Sequence, residues 1–244
     1  MPRIALIHAL AHSPPPINAA LAKAWPEAVR MNLLDDSLAA DLARTGRLDE
    51  AMTARFVALA DYAVAAGADA ILFTCSAFGP CIDAVKRRHA ALPVLKPNEA
   101  MIDEAVALAG GGAGDAGRAG PAGGDGRIGR IGRIGLIASF EPTLRSMPEE
   151  FPAGADLRCR LADGAMAALD RGDGAAHDAA VVRAARALAD DGCSVLALAQ
   201  FSMARARPAV ERAFEQAGVA LPVLTTPDSA VRRLRQALRA GPPG

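Results

Sequence analysis

Apolar and polar positions alternate along the chain in blocks: short unbroken apolar runs, then longer stretches with apolar residues every three or four positions. RIALIHA, from Arg3, is the first apolar run, and RIGLIAS, from Arg133, has the same pattern. Unbroken runs of Ile, Leu and Ala mark parallel strands buried on both faces. Sliding the chain against itself by roughly 125 to 130 positions matches the halves element by element. MNLLDDSLAADLARTG, from Met31, lines up with LRCRLADGAMAALDRG, from Leu157. FVALADYAVAAGADAILFTCSAFG, from Phe56, lies beside VVRAARALADDGCSVLALAQFSMA, from Val181, and LPVLKPNEAM, from Leu92, beside LPVLTTPDSAV, from Leu221. Each half reads as four strands alternating with four helices, which implies parallel sheets with right-handed crossovers.

The expected fold is therefore α/β, with two pseudo-symmetric lobes, each a four-stranded parallel sheet flanked by helices. Residues 1–109 would form the first repeat and 134–244 the second, and the lobes can exchange terminal segments. Ligands of open α/β sheets bind beyond the carboxyl ends of the strands, where helix N-termini offer free N–H groups. The expected active site is the cleft between the lobes. Residues 110–133 are glycine-rich and end in tandem Gly-Arg-Ile triplets. A phosphate loop joins a strand to the helix after it, whereas these glycines precede a strand, so a flexible linker is expected.

Composition narrows the function classes. Half of the 244 residues are apolar (52%) but only 4% are aromatic, so the core must be built from Ala, Val, Leu and Ile. Lys and Arg (27) balance Asp and Glu (27), leaving no electrostatic reason to expect nucleic acid as a partner. The one basic concentration, VRRLRQALRA, reads as an amphipathic surface helix with Val231, Leu234 and Leu238 turned inward. No window reaches the roughly 18 apolar residues needed to span a membrane, and the N-terminus lacks the charged lead and long apolar core of a signal peptide. A cytoplasmic protein is expected, with cysteines 75, 81, 159 and 193 reduced.

The candidate chemistry centres on FTCSAFGPC, from Phe73 to Cys81. Cys75 and Cys81 have five residues between them, and the histidines are scattered at 8, 12, 89 and 177, so no metal site is expected. A redox pair would prefer two intervening residues. Buried filler is the expected role of Cys81, Cys159 and Cys193. Cys75 differs: it ends the run Ala70-Ile71-Leu72-Phe73 and precedes a helix that starts near Pro80. N–H groups at a helix start stabilise a thiolate and lower its pKa. Thr74 and Ser76 flank the thiol with hydroxyls, suited to a carboxylate beside a thiol acid/base.

The segment TCSAFG, the two-lobed repeat and the polar loop HSPPPIN together resemble the aspartate/glutamate racemase superfamily. Its relatives include hydantoin racemases, maleate isomerases and arylmalonate decarboxylases. The resemblance covers the chain except the glycine-rich linker. It implies a cofactor-independent enzyme acting at the α-carbon of a small carboxylic or amino acid. In such racemases two cysteines, one from each lobe, remove and return the proton. The first carries over to Cys75, with Thr74 and Ser76 binding the carboxylate. The second does not, because GADAILFTCSAFG aligned with GCSVLALAQFSMA puts Gln200 at the matching position and Ser202 opposite Ala77. Cys193 falls seven residues too early. The resemblance also makes a homodimer the expected assembly.

Glutamine exchanges no proton near neutral pH, though it donates and accepts hydrogen bonds. A one-thiol decarboxylase or cis–trans isomerase is therefore an alternative, and a non-catalytic carboxylate-binding protein is another. His8, at the end of the first strand, and His177 are candidates for a second acid/base; Asp173 reads as the cap of the helix carrying His177. Further polar groups at strand ends are Ser13 and Asn18 in the first half, and Ser139, Thr143, Thr225 and Thr226 in the second. Each taken alone reads first as a helix cap and only second as a ligand; as a set they suit a small carboxylate. Lys96 is the matching cation of the first half, and Phe78, Phe140 and Phe201 would narrow the site.

Overall fold

The computed structural model describes residues 1–111 and 132–240. The linker expected over 110–133 lies outside them except at its ends, where one helix runs to Gly111 and a strand begins at Arg133. The chain forms two compact units, Met1–Ala100 together with the segment from Thr226 onward, and Met101–Thr225.

The first unit contains β1 (Arg3–His8), α1 (Pro14–Ala24), β2 (Val29–Leu34), α2 (Ser37–Thr45), α3 (Glu50–Ala65), β3 (Ala70–Phe73), α4 (Gly79–Arg88) and β4 (Val94–Leu95). Helix α5 (Glu99–Gly111) leads into β5 (Arg133–Ala138), α6 (Glu141–Ser146), β6 (Leu157–Leu161), α7 (Ala165–Asp170), α8 (Gly174–Asp190), β7 (Cys193–Leu198), α9 (Arg207–Gln216) and β8 (Val223–Thr225). Helix α10 (Thr226–Ala240) closes the described chain. Two four-stranded parallel sheets result, ordered β2-β1-β3-β4 and β6-β5-β7-β8. The simple strand–helix alternation is interrupted once per sheet: two helices, not one, connect β2 to β3 and β6 to β7.

The central strands are buried on both faces, as unbroken apolar runs require. In β5, Ile134, Leu136 and Ala138 pack with Met101, Ile102 and Ala105 of α5, whereas Ile137 packs with Val181, Ala185 and Leu188 of α8. Gly135 shares the α8 side because nothing larger fits: a Cβ there would lie 2.5 Å from Leu196 Cδ2 and 3.1 Å from Leu188 Cδ1. Gly135→Ala is expected to cost about 1–3 kcal/mol through overpacking, read as a lower urea midpoint at unchanged slope. In the first unit Phe56, Phe73 and Phe78 form the aromatic centre, with ring centroids 5.4 Å apart for Phe56–Phe73 and 4.8 Å for Phe56–Phe78. Helix α10 completes that unit; Val231 and Leu234 are buried, Leu238 is half-buried, and Arg235 donates to the carbonyl of Ala24 at 3.0 Å.

The strand ends that matter for function are set by register. Ile7 pairs with Phe73 in the first sheet and Ile137 with Leu198 in the second. One residue on, Thr74 N–H donates to the Ile7 carbonyl at 3.1 Å and Ala199 N–H to the Ile137 carbonyl at 2.8 Å. Cys75 and Gln200 therefore hold the same position on their respective sheets. The long helices α3 and α8 are capped alike, Asp49 accepting from Met52 N–H and Asp173 from Ala176 N–H, at 2.9 and 3.0 Å. All four cysteines are free. Cys81 and Cys193 are buried, but Cys159 is exposed. The filler role fails for Cys159 because β6 is an edge strand whose middle residues face solvent. Among the described residues, no helix is long and apolar enough to cross a membrane.

Candidate active site

Cys75 lies two residues beyond β3 in extended conformation, with φ −128° and ψ 117°. The chain then makes a 3₁₀ turn over Ser76–Phe78 and enters α4, with Pro80 in its first turn. Pleating continues to the thiol. Ile71 and Phe73 point into the apolar cluster with Phe56 and Phe78, and half-buried Cys75 packs against that cluster. Ile7, Ala9, Leu38, Phe56 and Phe73 gather beside it, leaving no void large enough for water. This burial pushes the thiol pKa up, and the Ala77 N–H bonded to the sulfur offsets only part of the effect. The expected lowering by a helix start is thus reversed. Helix α4 begins four residues beyond the thiol, and apolar side chains surround the sulfur.

Thr74 points away from Cys75, to the other face of the sheet, because successive strand residues alternate. Its buried hydroxyl lies 2.8 Å from Nδ1 of His8 and 3.4 Å from the Ile7 carbonyl. His8 is completely buried, and its Nε2 lies 3.0 Å from Oδ1 of Asn32. Burial lowers its pKa, and the Asn32 hydrogen bond counters this in part. With both nitrogens bonded and no exposed surface, His8 is a supporting residue at the end of β1, not an open acid/base. Asn18, on α1, joins the same group by donating to Asn32 Oδ1 at 3.0 Å. Of the remaining candidates in this unit, Ser76 is exposed in the turn. Ser13 is buried at the start of α1 without capping it. Lys96 is paired with Asp83 at 2.8 Å.

In the second unit, Gln200 follows β7 as Cys75 follows β3. Its side-chain oxygen accepts from Ser139 N–H at 2.8 Å and from the Ser139 hydroxyl at 3.0 Å. Both donors of the buried Ser139 are therefore committed to Gln200, whose NH₂ group is the end left for other partners. Thr143, in α6, and Ser202, in the 3₁₀ turn Phe201–Ala206, are half-buried. Thr225 is fully buried at the end of β8 and Thr226 at the start of α10, so neither is an open donor. Phe78 and Phe201 belong to the interior; Phe140 alone of the three is exposed. Among the described residues, no three His, Cys, Asp or Glu side chains gather as a metal site.

No family model and no curated protein matches the sequence. Solved structures do match. Allantoin racemase from Klebsiella pneumoniae superposes with a TM-score of 0.69 at 18% identity, over 98% of this chain and 89% of that one. Glutamate racemase RacE1 from Bacillus anthracis gives 0.64 at 12% identity, over 98% and 82%. Unliganded arylmalonate decarboxylase gives 0.54 at 17%, over 97% and 92%. The chain has the aspartate/glutamate racemase fold.

On this racemase fold Gln200 holds in the second sheet the position that Cys75 holds in the first, and the geometry shows how its side chain is held. Two partners escaped the sequence reading: Asn32, which binds His8, and Ser139 in its role as the holder of Gln200. A signal existed for the first, since asparagine inside an apolar strand run is unfavourable and MNLL contains one.

His177 lies in the racemase fold's second unit, fully buried on α8. Its Nδ1 is 2.8 Å from Asp178, which also accepts from Arg205 at 3.0 Å, while Nε2 is buried without a partner. The matching residue of the first unit is Met52, buried in its core. A buried polar atom without a partner costs about 1–3 kcal/mol. His177→Met is expected to recover part of that cost, seen as a higher melting temperature with Asp178 still paired to Arg205.

Proposed function

We propose that the protein is a cofactor-independent enzyme of the aspartate/glutamate racemase superfamily that moves a proton at the α-carbon of a small carboxylic or amino acid, with Cys75 as its acid/base. The observation that carries this reading is the thiol itself: half-buried, at the carboxyl end of a central strand, with a backbone N–H on its sulfur. In the protonating direction the S–H bond breaks and the enediolate's electron pair forms the new C–H bond, leaving a thiolate that Ala77 N–H stabilises. In the reverse direction the thiolate takes the α-proton, and the C–H electrons pass into the enediolate. In the second unit the NH₂ of Gln200, its carbonyl fixed by Ser139, is a hydrogen-bond donor of the kind that suits a carboxylate or an oxyanion.

A second reading draws on Gln200 and on the raised thiol pKa together. A glutamine cannot take the place of a second proton carrier, and a thiol kept protonated is suited to delivering one proton. Decarboxylation followed by protonation on one face, or isomerisation through a thioether adduct, fits a single-thiol site. Incubation with amino acids, dicarboxylates and substituted malonates in heavy water, followed by NMR, separates the readings. Racemase-type chemistry exchanges the α-proton without loss of carbon, decarboxylation releases CO₂ and leaves deuterium in the product, and isomerisation interconverts an unsaturated dicarboxylate. Ligand-dependent thermal stabilisation with no turnover would instead favour a carboxylate-binding protein.

A further inference from the structure

A chain of hydrogen-bonded side chains in the first unit ends on Thr74, the residue before the thiol. We propose that Asn32 is a positioning residue for Cys75, acting through His8 and Thr74 to fix the direction of the hydrogen bonds at the end of β3. The inference rests on the reading of Cys75 as the working thiol.

The argument follows donors and acceptors. Asn18 and Asn32 pair through both amides, Asn18 Nδ2 donating to Asn32 Oδ1 at 3.0 Å and Asn32 Nδ2 to Asn18 Oδ1 at 3.3 Å. In this arrangement of the pair it is the oxygen of Asn32 that lies 3.0 Å from His8 Nε2. An amide oxygen only accepts, so His8 Nε2 must carry the proton, and in the neutral ring Nδ1 must accept. The Thr74 hydroxyl, 2.8 Å from Nδ1, therefore donates to His8 and not to the Ile7 carbonyl at 3.4 Å. Thr74 is in this way held by its N–H on one partner and its O–H on another, and the next residue is Cys75. Four side chains on α1, β2, β1 and the end of β3 thus form one chain with a single polarity.

Reversing that polarity is a single substitution. In Asn32→Asp the carboxylate favours the doubly protonated imidazolium. Nδ1–H then donates to Thr74, whose hydroxyl turns to Ile7. Asn32 is exposed on an edge strand, so the variant keeps the fold. The charged or titratable groups around the chain are Cys75, next to Thr74 in sequence; Asp35, whose N–H donates to the His8 carbonyl at 3.1 Å and whose carboxylate pairs with Arg55; Arg30, whose Nη1 donates to the Asn18 carbonyl at 3.1 Å; and Asp228, in the first turn of α10, which packs on β3.

The test uses the full chain with Cys159→Ser, which removes the exposed thiol. Nitrogen-15 NMR of the unmutated network should show His8 protonated at Nε2 and bare at Nδ1; the opposite tautomer would overturn the proposal. In Asn32→Asp, Nδ1 should become protonated at neutral pH, and alkylation of Cys75 by iodoacetamide at pH 7 should rise by roughly threefold or more, its pH profile moving to lower pH. Asn32→Ala, which leaves His8 without its acceptor, should mix the two tautomers. If His8 changes tautomer while the Cys75 profile stays at wild type, Asn32 merely satisfies a buried ring. Alkylation needs no substrate: a shifted profile with no acid turned over would retain the positioning role and sink the catalytic reading instead.

Discussion

Cys75→Ala should lower α-proton exchange by about 10²–10⁴-fold, the usual contribution of a positioned acid/base, while stability changes by no more than about 1 kcal/mol because the thiol is only partly packed. Cys75→Ser should be nearly as inactive, since a hydroxyl in the same apolar surroundings neither gives nor takes a proton readily near neutral pH. The raised pKa adds a direction. At pH 7 the thiolate fraction is below that of an ordinary cysteine, so alkylation should be slow and should climb as pH rises beyond the normal thiol range. Proton abstraction should follow the same rise, whereas a reaction that only needs the thiol as a donor should be flat at neutral pH and fall in base. Deuterium exchange followed from pH 6 to 10 distinguishes these profiles. Exchange that persists at the wild-type rate in Cys75→Ala removes this residue from the mechanism.

The strands, the parallel order and the position of Cys75 were legible because they depend on short-range pattern. Apolar runs such as RIALIHA and RIGLIAS can satisfy their side chains only between two helical layers, and the match of one half to the other gave Gln200 the position on the second sheet that Cys75 holds on the first. What the pattern did not carry was direction. Thr74 and Ser76 flank the thiol in sequence, yet the pleat sends Thr74 to His8 on the other face and leaves Ser76 in a turn. The electrostatics of Cys75 were misread for a related reason. Its environment is made by Leu38, Phe56 and Phe73, from three separate elements, and their desolvation outweighs the backbone N–H groups that lie close in sequence. Cys159 was misplaced because a strand's place in the order, edge or centre, is a property of the whole sheet. Partnerships such as Ser139 with Gln200, 61 positions apart, become visible only once the strands are side by side.

Gln200→Glu should separate the role of that amide from the fold it helps to hold. One carboxylate oxygen can keep both bonds from Ser139, so the local structure survives. The other oxygen replaces the NH₂ group and turns a donor into a negatively charged acceptor. Exchange at neutral pH should fall by about 10²–10³-fold, as for loss of one oxyanion donor, and should recover as acid protonates the new carboxyl and restores an O–H donor. Gln200→Ala should show the same loss without the acid recovery, and in addition should destabilise the protein by about 1–3 kcal/mol, because the buried N–H and O–H of Ser139 lose their acceptor. Ser139→Ala keeps the backbone bond at 2.8 Å, so its effect on exchange should be much the smaller. Gln200→Cys asks the remaining question directly: if racemisation appears where only one-sided protonation existed, the natural enzyme is a one-thiol relative of the racemases. A Gln200→Glu variant that exchanges at the wild-type rate at pH 7 would show that this amide does not touch the reacting acid, and the proton chemistry would then rest on Cys75 alone.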